Sequence, residues 1–258
     1  MRWLLLADVH ANLAALEAVL ADGSSDAHGV LVGGDLIGYG PDPEACVARL
    51  RALDAIAVAG NHERMLTGAV PWRCGAAARR ALAWTATALG PAEQAWLAAL
   101  PIWQRIGPSL LLCHGSPADP DRYVDRPDRV AAALAEMAAV APGASLLACG
   151  HTHRACWATA TELHPIQRWP LTVFLPEDEP VLINPGAVGQ SRDRHLFARY
   201  AILDSEGRWV EFRAVPYDVR STVRRMRAAG LRSPLRARSL LRRVLAEARS
   251  REGRCASV

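Results

Sequence analysis

Apolar residues along this chain fall into short runs that stop abruptly on aspartate, histidine or glycine. Arg2–Ala7 is the first, ending at Asp8, and it reads as a strand buried on both faces. Leu13, Leu16, Glu17 and Leu20 follow at helical spacing and predict a helix over Leu13–Ala21. A second strand, Gly29–Val32, runs into Gly33-Gly34-Asp35. Glu44–Leu53 is again helical, and Ala55–Ala59 is a third strand ending at Gly60-Asn61-His62. This βαβαβ opening implies a partly parallel, buried sheet.

Residues 63–107 change character. Trp84, Leu89, Trp96, Leu97 and Leu100 recur at helical spacing, so a helical insertion is expected there. Ser109–Cys113 and Ser145–Cys149 read as strands flanking a helix over Arg129–Val140. The pattern then turns to strands at Cys156–Thr159, Leu171–Leu175, Val181–Ile183, Arg199–Leu203 and Trp209–Ala214. A basic helical C-terminus over 217–250 closes the chain, as helices Val219–Ala229 and Pro234–Arg249. With no internal repeat and no low-complexity linker, one domain over 1–258 is expected.

Composition narrows the class. Of 258 residues, 51% are hydrophobic and 22% charged, which indicates a globular chain and argues against disorder. The densest apolar stretch, Ala131–Cys149, is broken by Glu136, Pro142 and Gly143, so no membrane span is expected. The N-terminal apolar run stops at Asp8, too short for a secretory core, and the expected location is cytoplasmic. Six cysteines form no Cys-x-x-Cys pair, which points to buried free thiols rather than a zinc knuckle.

The chain contains no lysine, and its charge is uneven. Residues 216–258 carry 12 arginines and 3 acids, against 18 basic and 23 acidic residues before them. Such a terminus suits nucleic acid or an acidic partner, and equally a pair of solvated helices.

The chemistry gathers at the ends of the predicted strands. They read Asp8-Val9-His10, Gly34-Asp35, Gly60-Asn61-His62, Cys113-His114-Gly115 and Gly150-His151-Thr152-His153. Ligands of α/β sheets bind beyond the carboxyl ends of strands, and five of the eight histidines fall there. Asp8, His10, Asp35, Asn61, His114, His151 and His153 supply carboxylate, imidazole and amide donors without thiolate. That set favours hard-to-borderline divalent ions, and it is too large for one tetrahedral ion.

Taken together and in this order, with Glu63 closing the Gly60-Asn61-His62-Glu63 motif, these residues resemble the calcineurin-like metallophosphoesterase superfamily. The small bacterial and archaeal phosphodiesterase-like branch is the nearest in pattern, and Gly38-Tyr39-Gly40-Pro41 and Asn184-Pro185-Gly186-Ala187-Val188-Gly189-Gln190 fit it too. The resemblance implies a four-layer αββα sandwich, two mixed β-sheets flanked by helices. It implies that Asp8, His10 and His153 hold one metal ion, that Asn61, His114 and His151 hold a second, and that Asp35 bridges them. Manganese is the first expectation, with iron, zinc or nickel as alternatives.

His62 would be catalytic, a general acid or charge stabiliser at the leaving-group oxygen. Two such ions, about 3.5–4 Å apart, activate a bridging water for in-line attack on phosphorus. The expected substrate is small and phosphorylated, a phosphodiester or nucleotide. A phosphoprotein phosphatase, a dinucleoside polyphosphate hydrolase and a non-catalytic scaffold are the alternatives. Asn12, Tyr39 and Arg192 are candidate substrate contacts, with a helix N-cap, turn packing and surface charge as their structural alternatives. Arg194, like Arg192, is a candidate phosphate contact, and Trp72 and Arg73 are candidates to stack on a nucleobase, with a core tryptophan as the structural alternative.

Overall fold

The computed structural model describes residues 1–192 and 196–231. Its first half contains β1 (Arg2–Leu6), α1 (Leu13–Gly23), β2 (Gly29–Val32), α2 (Pro43–Ala52), β3 (Ile56–Ala57), α3 (Asn61–Leu66), α4 (Ala76–Ala88) and α5 (Pro91–Ala98). Next come β4 (Trp103–Ile106), β5 (Leu110–Cys113), α6 (Pro127–Val140), β6 (Leu146–Ala148), β7 (Cys156–Ala158), β8 (Leu163–Pro165) and β9 (Leu171–Phe174). The described part closes with β10 (Val181–Asn184), β11 (Phe197–Asp204), β12 (Trp209–Pro216) and α7 (Val219–Ala228). The expected helix Pro234–Arg249 lies outside the described residues.

Two six-stranded mixed sheets form, ordered β3-β2-β1-β11-β12-β9 and β4-β5-β6-β10-β7-β8. In the first, β1, β2 and β3 are parallel, with Leu4, Leu5 and Leu6 opposite Val30, Leu31 and Val32. In the second, β5, β6 and β10 are parallel. The carboxyl ends of β1, β2, β3, β5 and β6 carry every predicted metal donor.

Side-chain alternation explains the layers. Successive residues of a strand point to opposite faces. Leu4 and Leu6 pack with Leu16, Val19, Val47 and Leu50 of α1 and α2. Leu5 points the other way, into a second core shared by Leu31, Leu112, Leu146, Ile183, Leu203 and Phe212 of both sheets. Leu111, Leu147 and Leu182 face away from that core onto Val130, Leu134 and Met137 of α6. Helix, sheet, sheet and helix therefore stack in four layers, and the inner strands need apolar residues on both faces.

Helix starts follow ordinary capping chemistry. Asn12 caps α1 by accepting from the Ala15 amide, and Asp218 caps α7 by accepting from Ser221. Proline begins α2, α5 and α6, where its missing N–H costs nothing.

The 63–107 segment differs from the expectation at its end. α3, α4 and α5 are helical, but Trp103–Ile106 is a strand paired antiparallel with β5. Gly107, at φ +59°, makes the reversal between them. The short edge strand β8 also gave no periodic signal. No helix among the described residues is long and apolar enough to cross a membrane.

The inter-sheet core should dominate stability. Leu5→Ala is expected to cost about 2–5 kcal/mol in urea unfolding, because the side chain is fully buried between rigid sheets. A loss below about 1 kcal/mol would contradict the packing described.

Candidate metal centre

The strand ends converge through unusual backbone. Asp8, His10, Asp35, His151 and His153 all adopt positive φ, between 49° and 65°. Non-glycine residues rarely do so, and such strain persists where surrounding structure over-determines it, typically at functional sites. Here the amides and carbonyls of neighbouring loops hold it. His10 N donates to Asp35 O at 2.9 Å, Asp8 N to Gly34 O at 3.1 Å, and Gly189 N to Asp8 O at 3.0 Å.

Two groups of potential donors result. Asp8, His10, Asp35 and His153 have ligand atoms within 4.8 Å of one another, and so do Asp35, His114 and His151. Asp35 belongs to both. Its Oδ1 accepts from the His62 amide at 2.9 Å. Its Oδ2 lies 3.6 Å from His10 Nε2 and 3.5 Å from His114 Nε2. Asn61 joins the second group, with Oδ1 3.2 Å from His114 Nε2. All seven donors predicted from sequence thus come together.

Between His10 and His153 the ring protons point away from the shared space. His10 Nδ1 faces the Ile37 carbonyl at 3.1 Å, and His153 Nδ1 faces the Gln190 carbonyl at 2.6 Å. A carbonyl only accepts, so each Nδ1 carries the ring proton. The two Nε2 atoms then face each other as lone pairs at 3.1 Å. Burial keeps both rings neutral, pushing His10 down to about 3 and His153 well below its usual range. Asp8 Oδ2 is buried with no hydrogen-bond partner. A cation between these atoms is the group that such a donor set fits.

On the other side, His114 Nδ1 donates to the Gly33 carbonyl at 2.7 Å, and Nε2 faces the Asp35 and Asn61 oxygens. Burial opposes its charge, yet Asp35 beside it raises it to about 10. Asp8 is raised to about 8 by burial. His151 is lowered to about 3 by burial and by His114.

His62 lines the same space. Its ring is buried, 3.9 Å from Asp35 Oδ2 through Nε2, and burial lowers its pKa. Gly38, at φ +85°, allows this position, since a Cβ there would collide with the His62 imidazole. Tyr39 sits edge-on to His10 at 4.7 Å between ring centroids and 4.8 Å from His62. Arg192 is exposed, yet its Nη2 lies 3.5 Å from His153 Nε2. Asn12, by contrast, is occupied by the scaffold. It caps α1, donates to Gly189 O at 3.0 Å and accepts from Thr222 at 3.1 Å. Trp72 is partly buried against the core and donates to Met65 O at 2.7 Å. Arg73 N donates to Pro71 O in the turn beyond it. Arg194 lies outside the described residues.

The supporting roles of three residues escaped the sequence reading, although Glu63 and Asn184 stood in its motifs. The buried Glu63 carboxylate accepts from the amides of Asp35, Ile37 and Gly60 at 2.8–3.1 Å, locking the loops after β2 and β3 together. Its place three residues after the Gly60 cap was the available signal. Asn184 donates to Gly150 O at 2.7 Å and to Thr152 Oγ1 at 3.1 Å, fixing the His151–His153 loop. Tyr123 stacks on His151 at 4.2 Å, and nothing periodic in its proline-bounded loop marks it.

A four-layer sandwich with two oxygen- and nitrogen-rich donor groups at its strand ends presents a candidate metal centre of the kind a metal-dependent hydrolase uses. Residues 1–208 match the family model of the calcineurin-like phosphoesterase superfamily domain, and the chain belongs to that superfamily. It is a metal-dependent phosphoesterase, of a superfamily that uses divalent metals. A metallophosphoesterase from Sphaerobacter thermophilus has a similar structure, with a TM-score of 0.79 and 33% identity over 95% of this chain and 99% of its own. Hypothetical protein PH1004 from Pyrococcus horikoshii OT3 shares the fold at a TM-score of 0.72 and 19% identity, over 90% of this chain and 94% of its own. Uncharacterized protein MJ0912 of Methanocaldococcus jannaschii is 30% identical over 234 residues, covering 83% of this chain and 87% of its own.

Metal loading should release protons. At pH 7 the metal-stripped protein holds protons on Asp8, raised to about 8, and on His114, raised to about 10. Adding Mn²⁺ in weak buffer is therefore expected to liberate protons, and metal affinity should fall as pH is lowered. Binding without acidification would contradict these assignments.

Proposed function

We propose that this protein hydrolyses small phosphoesters, phosphodiesters and nucleotides foremost, with two divalent ions, manganese the first expected and iron, zinc or nickel also compatible with the donors. Asp8, His10 and His153 hold one ion, Asn61, His114 and His151 the other, and Asp35 bridges them. When bound, such ions lower the pKa of water and neutralise charge on phosphoryl oxygens. The observation that carries this reading is the convergence of ligand atoms on both sides of Asp35 Oδ2, with the Nε2 lone pairs of His10 and His153 facing each other at 3.1 Å.

The chain's own residues supply the rest. Glu63 and Asn184 keep the strand-end loops from relaxing, so the donors stay aimed without reorganisation. His62 is neutral and carries one ring N–H. That N–H can hydrogen-bond the departing oxygen and stabilise its developing charge, while the oxygen takes its proton from solvent. Burial keeps it from holding a permanent charge that would repel the ions. Arg192 brings a guanidinium to the rim beside His153, where it pairs with a phosphoryl oxygen. Tyr39 closes the wall between His10 and His62 and excludes water from that side.

The test uses bis(p-nitrophenyl) phosphate. Metal-stripped protein should be inactive, and Mn²⁺ should restore turnover. Asp35→Asn should lose about 100-fold or more even with Mn²⁺. His62→Gln should lower kcat by about 100-fold while keeping its metal. Turnover without metal, or a wild-type rate in Asp35→Asn, would overturn the reading.

A further inference from the structure

The loop between β5 and α6 forms a wall that serves two spaces. Gly115, next to His114, lets the loop fold back closely, since a Cβ there would stand 2.6 Å from Pro120 O and 2.7 Å from Arg122 O. Arg64 fixes the loop by donating to Asp121 at 2.8 Å, and Arg129 of α6 donates to Tyr123 O at 2.9 Å. Toward the metal centre, this wall offers the Asp121 carbonyl to His151 Nε2 at 3.0 Å and the Tyr123 ring to the His151 ring. Arg192 also donates to the Tyr123 hydroxyl at 3.3 Å.

The same two residues, Asp121 and Tyr123, line an open pocket of about 410 Å³ together with Arg122, Asp128, Arg129 and Ala132. A volume of that size accommodates a nucleoside-sized group. Its charges are balanced and already paired. Arg122 is held by Glu136, and Arg129 pairs with Asp125 at 3.0 Å. Asp121 pairs with Arg64, and Asp128 with Arg126 at 2.9 Å. A second phosphate placed here would meet two carboxylates and no uncommitted guanidinium among the lining residues. An uncharged ring with polar edges would meet an aromatic face and a polar rim.

We infer that this pocket receives the nucleobase of a nucleotidyl ester whose phosphoryl group lies at the Asp35 centre, with Tyr123 as the stacking platform. The inference rests on the phosphoesterase site proposed above, and it makes Tyr123 a specificity-determining residue. It favours nucleotides with a single phosphoryl group over dinucleoside polyphosphates, whose additional phosphates the pocket does not neutralise.

Binding tests this without relying on turnover. Mn²⁺-loaded protein is titrated calorimetrically with the 5′-phosphonates of adenosine, thymidine and ribose, whose P–C bond a phosphoesterase does not cleave. At least one base-bearing compound should bind about tenfold tighter than the ribose compound. Two variants should each cut that ratio about tenfold: Tyr123→Leu, which removes the platform, and Ala132→Trp, which fills the pocket from the exposed face of α6. Metal content measured alongside separates loss of the platform from damage at His151. Equal binding of all three compounds in the wild type, or a ratio unchanged in both variants, would overturn the inference. Failure of bis(p-nitrophenyl) phosphate turnover, with the base preference intact, would instead count against the catalytic reading alone.

Discussion

The arrangement turns on one oxygen, Asp35 Oδ2, set between two groups of ring nitrogens. His10 Nε2 lies 3.6 Å away on one side and His114 Nε2 3.5 Å away on the other. Backbone carbonyls claim the Nδ1 protons of His10, His114 and His153, so the Nε2 atoms turn inward: those of His10 and His153 toward each other, with Arg192 Nη2 3.5 Å from the latter, and that of His114 toward the Asp35 and Asn61 oxygens. Such a constellation is poorly satisfied by protein alone and well satisfied by cations. The left-handed backbone at five donor residues is part of the same design, because it turns each side chain inward from a strand end.

The rest of the fold can be understood as holding that constellation still. Two sheets packed face to face bring the ends of β1, β2 and β3 beside those of β5, β6 and β10. Glu63 ties the β2 and β3 loops, and Asn184 at the end of β10 ties the β6 loop. Asn12 links the start of α1 to Gly189 and to Thr222 of α7, so the last described helix also braces the segment that supports Asp8 and His153. Preorganisation of this kind is what a hydrolase needs to stabilise charge without reorganising during reaction.

Much of this was legible in the sequence because the chemistry sits where periodicity breaks. Runs such as Leu4-Leu5-Leu6 mark doubly buried strands, and the aspartates and histidines that stop them mark the site. Trp103–Ile106 was not legible. Its burial is uneven and it borders an Ala-rich helical stretch, so only pairing with β5 makes it a strand. Glu63 and Asn184 act through backbone amides and carbonyls far apart in sequence, and residue type alone did not disclose that role. Asn12 was open between ligand orientation and capping, and its three hydrogen bonds to α1, Gly189 and Thr222 assign it to the scaffold. Tyr123 gains its place only because Gly115 lets a loop fold back onto His151.

The central claim is that Asp35 joins two cation sites. Metal content per chain, measured by plasma mass spectrometry after Mn²⁺ loading and removal of free metal, tests it most directly. The account predicts two ions in the wild type and fewer than one in Asp35→Asn, with the fold retained by circular dichroism. One ion or none in a folded wild type, or two ions retained by Asp35→Asn, would contradict it.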